Sequence, residues 1–174
     1  MKQLFRSSLA LLLAIAALAV PATGSAAPTS TSFTILGYEY AFTSTVGSFA
    51  GIAHGNAGDT GTWNTTVRHD PLGSTPTYVN GGVFELATLS PTGHLDTVTG
   101  TFVYHGGTIT TLNPGANCTN QQYLVTGTLK DVRTTTTSGG SGSFSVVLTH
   151  FRTQILGRCL IYKARIAGTV SFIY

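Results

Sequence analysis

A three-residue pattern recurs six times along the chain: glycine, then serine or threonine, then an apolar residue. It occurs as Gly47-Ser48-Phe49, Gly61-Thr62-Trp63, Gly100-Thr101-Phe102, Gly127-Thr128-Leu129, Gly142-Ser143-Phe144 and Gly168-Thr169-Val170. Each copy lies in a stretch where apolar and polar residues alternate, the period of a strand with one buried face. Glycine weakens a strand interior, because it loses much backbone entropy and packs nothing. Six copies therefore need a reason. A sheet that closes on itself must bend sharply, and glycine on the concave face permits the bend. The apolar residue two positions on then shares the inward face. The plainer alternative is that Gly, with 21 copies, is simply abundant here. The closed sheet is the preferred reading. It makes the chain all-β, a single antiparallel β-barrel of approximately eight strands. Closure removes sheet edges and leaves a core that is either filled or holds one small ligand.

The alternation and its breakers predict strands at 32–43, 47–54, 60–69, 79–89, 96–111, 120–132, 142–155 and 160–173. The breakers are Asp70-Pro71 through Pro76, Ser90-Pro91-Thr92-Gly93, Asn113 to Asn117, and a Thr/Ser/Gly run from Thr134 to Gly140. The last strand alternates most cleanly. It is expected to bury Leu160, Tyr162, Ala164, Ile166, Gly168, Val170, Phe172 and Tyr174 on one face.

Residues 1–26 have the layout of a secretory signal peptide. Lys2 and Arg6 precede an apolar run from Leu9 to Val20, and Pro21 and Gly24-Ser25-Ala26 follow it. The run is shorter than the roughly 20 residues that span a bilayer. Cleavage after Ala26 would leave 27–174 as the barrel domain, secreted to the extracellular space, or to the periplasm or outer membrane of a diderm bacterium. No later segment reads as a transmembrane helix. The whole chain has a mean hydropathy of +0.24 and a formal charge of +3. Losing Lys2 and Arg6 leaves seven basic against six acidic residues, a net +1. Nothing in so neutral a domain calls for a nucleic-acid partner.

Cys118 and Cys159 are the only cysteines. In an exported chain an even pair reads as a disulfide. It closes a loop of about 42 residues, which the chain-entropy argument values at up to about 4 kcal/mol. In a plain meander, however, the sixth and eighth strands are not neighbours. Their separation of roughly 9–10 Å exceeds what a disulfide bridges. Either Cys118 leaves the sheet in its loop and folds across, or the strand order is not a plain meander.

Offsets from the repeated glycines give rough heights on the barrel wall. His69 and His150 each stand eight residues after a repeat glycine, with inward parity and on strands that run the same way. Arg152 shares the parity of His150. Tyr123 and Tyr162 approach the same end from antiparallel strands. The candidate ligand-binding site is therefore one mouth of the barrel: Trp63, His69, Tyr104, Tyr123, His150, Arg152 and Tyr162. Aromatic walls would hold an apolar body while the histidines and Arg152 fix a polar head. The competing reading makes the aromatics ordinary core and the rest solvated strand ends.

No catalytic constellation stands out. The domain has six carboxylates: Glu39, Asp59, Asp70, Glu85, Asp96 and Asp131. Asp59, Asp70 and Asp96 fall at turns, where aspartate bonds to nearby backbone. Glu39 and Glu85 fall within strands, at parities that point to the solvent face. No nucleophile elbow, zinc-protease motif or phosphate loop is present, and no metal or other cofactor is implied.

The segment Val46-Gly47-Ser48-Phe49-Ala50-Gly51-Ile52-Ala53-His54-Gly55 resembles the Gly-x-Phe-Ala-Gly-x-x-x-Gly turn of dirigent and allene-oxide-cyclase-like barrels. It covers about ten residues, and in those families the motif usually comes later in the chain. The resemblance implies an eight-stranded barrel with an apolar cavity and a cyclase-type or stereochemistry-directing role, and no catalytic residue carries over. Gly61-Thr62-Trp63-Asn64 is similar to the first-strand motif of the avidins, small exported barrels that line a biotin site with several tryptophans. This chain has one.

The leading functional expectation is a secreted soluble barrel that binds a small apolar ligand or a surface partner. The alternatives are a small cyclase- or isomerase-type enzyme and an eight-stranded outer-membrane barrel, whose apolar strand face would point to lipid. The direction of Phe102, Phe144 and Phe172 separates them.

Overall fold

The computed structural model describes residues 28–174; the leader read from 1–26 lies outside the described residues. Eight strands follow in order: β1 (Ser30–Phe42), β2 (Val46–Gly55), β3 (Thr60–His69), β4 (Val79–Leu89), β5 (Leu95–Asn113), β6 (Gln121–Arg133), β7 (Gly140–Ile155) and β8 (Arg158–Ile173). Each pairs antiparallel with the next and β8 pairs with β1, which closes an up-and-down barrel.

The repeated glycines sit where closure crowds the wall. A Cβ on Gly127 would lie 2.6 Å from the ring of Phe144. The six apolar residues that follow the glycines, Phe49, Trp63, Phe102, Leu129, Phe144 and Val170, all face the interior. Phe102 and Phe172 are buried, and Phe144 meets Phe102 edge-on at 5.1 Å. The phenylalanine face of the strands is thus the inner one.

The two ends of the barrel differ. At the end carrying the β2–β3, β4–β5 and β6–β7 connections, Phe33, Ala53, Leu86, Val98, Val132 and Phe172 fill the lumen. A run of aromatic contacts leads up from there. Phe33 meets Phe172 at 6.2 Å, Phe172 meets Phe84 at 5.8 Å, and Phe84 stacks on Trp63 at 6.1 Å. Above Phe84 and Phe102 the lumen is hollow. The opposite end is its mouth, where β1–β2, β3–β4, β5–β6 and β7–β8 connect.

The disulfide joins Cys118 and Cys159 with their Cα atoms 5.5 Å apart. Strand order is a plain meander, so the bridge forms the first of the two expected ways. Cys118 lies in a short 3-10 turn, Ala116–Cys118, inside the β5–β6 connection. That connection folds across β7 to reach the start of β8. Arg152 of β7 holds it down, donating from Nη1 to the carbonyl of Gly115 at 3.1 Å.

Candidate functional site

The hollow part of the barrel is a cavity of about 440 Å³. Its walls are apolar: Ile35, Phe49, Trp63, Val125, Leu148 and Ile166 among others, over a floor of Phe84, Phe102, Leu129 and Val170. Phe42, Thr43 and Ser44 of the β1–β2 turn and Pro71 and Leu72 of the β3–β4 loop rim the mouth. That loop is held by Asp70, whose carboxylate accepts hydrogen bonds from the Tyr78 amide at 2.9 Å and the Asn80 side chain at 2.7 Å. These bonds hold the Asp70 carboxyl below its ordinary pKa.

Five of the seven residues expected at the mouth line the cavity: Trp63, His69, Tyr123, His150 and Arg152. Trp63 satisfies its indole N–H on the Ile52 carbonyl at 2.9 Å. His69 bonds through Nδ1 to the Asp70 carbonyl at 2.6 Å. Arg152 spends one guanidinium nitrogen on the disulfide loop.

Tyr104 and Tyr162 do not belong to the site. Tyr104 is 69% exposed and stacks on His105 at 4.0 Å, outside the barrel, with Tyr78 also against that imidazole at 4.6 Å. The reason is a bulge. Phe102 pairs with Leu129 and Gly107 with Gly127, so five steps along β5 answer two along β6. The odd surplus reverses the inward parity, which is why Ile109 and not Thr108 lines the cavity. Tyr162 is 65% exposed for the same reason. Phe151 pairs with Lys163 but Arg152 pairs with Ile161. Tyr162 is the extra residue, and below it the inward side passes to Ile161, so Leu160 also turns out to solvent.

The residue with the largest consequence for the cavity is one expected on the solvent face. Glu39 faces the cavity, not solvent. It stands an even number of steps from Phe33 and Ile35, both buried, so the inward parity of β1 carries it to the lumen. The solvent-face expectation rests on strand parity, and in β1 that parity belongs to the inner face. Glu85, by contrast, is on the outer face, where it accepts a hydrogen bond from Asn64.

Glu39 meets His150 across the mouth. Oε2 and Nε2 are 3.8 Å apart, with the two side chains only 9% and 8% exposed. That is beyond a direct hydrogen bond. Burial raises the Glu39 carboxyl to about 7 from an ordinary 4.5. Burial lowers His150, and the nearby charges of Arg152 and His69 push it the same way. Near neutrality the imidazole is uncharged and the carboxyl is poised between its two forms. His150 Nδ1 is buried without any hydrogen-bond partner. Tyr123 packs edge-on against the imidazole at 5.5 Å, and burial raises its phenol despite the opposing charge of Arg152. The mouth therefore presents a carboxyl and an imidazole, both short of partners, above an apolar chamber. Such a pair can bind a polar head, or hold and move a proton. Among the described residues, no three metal-ligating side chains converge.

Comparison of the chain with family profiles, characterised proteins and solved structures returns no match.

Proposed function

We propose that this protein is an exported receptor for a small, mostly apolar molecule with one hydrogen-bonding head. The observation that carries the reading is the Glu39–His150 pair at the mouth of an otherwise apolar cavity of about 440 Å³. A chamber of that size with a few convergent polar groups suits a small ligand. Glu39 and His150 stand too far apart to satisfy each other, so a ligand head that bonds to the carboxyl beside the imidazole gains a hydrogen bond that the empty protein lacks. The Cys118–Cys159 bridge fits an oxidising compartment. The inward phenylalanine face supports a barrel in water over one that presents that face to lipid.

Native mass spectrometry of protein purified without denaturant, with titration of an anilinonaphthalene sulfonate probe, tests this. The expected result is one bound molecule per barrel and saturable probe uptake. Val125→Trp, which intrudes into the chamber, weakens uptake. Glu39→Leu leaves apolar probes bound but weakens carbonyl- or hydroxyl-bearing ones by about tenfold. No bound mass and no saturable uptake would overturn the reading.

A second reading, a small isomerase, is favoured by one specific observation. A carboxyl raised to about 7 beside an uncharged imidazole in a largely apolar pocket is suited to proton transfer next to a carbonyl. Turnover of an enolisable ketone that is lost in Glu39→Gln would select it over simple binding.

A further inference from the structure

Beyond the rim, β7 and β8 continue with no further strand paired beside them. Pairing of β6 with β7 stops at Gln121 and His150, and pairing of β1 with β8 stops at Tyr38 and Arg165. β7 and β8 go on together to Ile155 and Arg158. The result is a two-stranded hairpin beside the cavity mouth, held close to its tip by Cys118–Cys159 and nearer the rim by the Arg152–Gly115 hydrogen bond, with the Leu156-Gly157 turn beyond both.

Its tip is built against the usual rules. Leu156 and Gly157 form the turn, both with positive φ, at 50° and 75°. A two-residue turn of that hand favours Asn, Asp or Gly, because a Cβ is strained in the left-handed region. Leucine is therefore a poor choice for the fold. It is also 98% exposed, so it contributes no packing. Ile155, Leu160 and Tyr162 are exposed beside it. The segment 151–165 carries four basic residues and no acidic one. Arg152 serves the disulfide loop, while Arg158, Lys163 and Arg165 are exposed. Lys163 lies 4.3 Å from the ring of Tyr38 on the neighbouring strand. The hairpin is thus apolar at the tip, aromatic along its flank and cationic throughout.

We propose that this hairpin docks the barrel on an anionic lipid surface, with Leu156 and Ile155 in the headgroup–acyl boundary and Arg158, Lys163 and Arg165 against the phosphates. Charge complementarity selects the partner: three exposed cations without a carboxylate match anionic headgroups. Size selects it over a protein. A turn tip covers far less than the roughly 800 Å² per partner of a stable protein interface, whereas a membrane surface needs only a few apolar side chains and a basic patch. Tyrosine with its wet hydroxyl suits the interfacial depth. Docking in this way sets the cavity mouth beside the bilayer.

Co-sedimentation of the full chain, as processed by its expression host, with phosphatidylcholine vesicles and with phosphatidylcholine–phosphatidylserine vesicles tests the proposal. The protein should pellet with the mixed vesicles and much less with phosphatidylcholine alone. Leu156→Asn should cut partitioning about tenfold while thermal unfolding shows no loss of stability, because Asn tolerates the turn. Arg158→Gln and Lys163→Gln should each cut it about fivefold, with the remaining binding less sensitive to salt. Failure to pellet with either vesicle overturns the proposal. So does pelleting that these three variants leave unchanged, and so does hairpin-dependent capture of a soluble protein while vesicles remain unbound.

Discussion

The two halves of this barrel are made from the same repeating strand pattern and end in opposite states. At the closed end, Phe33, Phe84 and Phe172 interlock with Leu86, Val98 and Val132 and leave no room. At the mouth, residues of the same kinds surround a cavity of about 440 Å³. The difference lies in what opposes each side chain. Large rings reach across the lumen at the closed end. Toward the mouth the inward positions pass to Val67, Val125, Thr65 and the polar pair Glu39 and His150, which do not meet in the middle. The mouth half replaces packing with other restraints: the disulfide, the Arg152 strap and the Asp70-braced loop. One half is stabilised by burial, and the other is held open.

Substitutions should break this symmetry in a graded way. Phe172→Ala, at a residue 0% exposed, should cost about 3–5 kcal/mol in denaturant unfolding, because a new void opens inside close packing. Val125→Ala at the cavity wall removes apolar contact beside space that already exists. Only the transfer contribution is lost, about 1.5 kcal/mol. Equal losses at the two sites would mean that the cavity is filled in solution.

Cys118→Ser should cost up to about 4 kcal/mol, close to the packing loss, while adding no void. It should also loosen the mouth selectively. Hydrogen exchange should rise in 113–120 and 151–163 and remain protected around Phe33 and Phe172. Uniform loosening would make the bridge a global staple and not a support for the mouth.

A further effect is electrostatic. The Glu39 carboxyl is held at about 7, above its ordinary 4.5, so the folded state favours its protonated form. Its stabilising contribution is fully present below pH 4.5 and is lost as the pH rises through about 7. His150 acts in the other sense. Lowered from 6.5, it contributes above that pH and loses its contribution as the pH falls. Glu39→Gln removes the first dependence alone. Denaturation midpoints at about pH 5 and about pH 8 should show the variant gaining on the parent chain at the higher pH.

The strand pattern was plain in the sequence because alternation and turn chemistry are local. The eight expected segments lie within a few residues of the observed strands. The repeat glycines located both histidines at one mouth, since counting along an unbroken strand preserves parity. Counting failed at the bulges. Three surplus residues in β5 and one in β8 turned Tyr104 and Tyr162 outward. A bulge depends on how two strands register, and neither strand alone records it. Glu39 was missed for a different reason. Strand parity read from the sequence assigns it to the solvent face, whereas the inward face of β1 is the one that carries Phe33, Ile35 and Glu39. Only the closed wall brings His150 within 3.8 Å of it.

By itself, then, the order of residues determined the local facts: strand content, turn positions and the pairing of two lone cysteines. Tertiary structure decided the rest. It chose the loop route by which Cys118 reaches Cys159, the bulges that reset parity, and the hollow above Phe84. Those features depend on distances across a closed ring. Residues far apart in the chain set such distances jointly, so no window of sequence contains them.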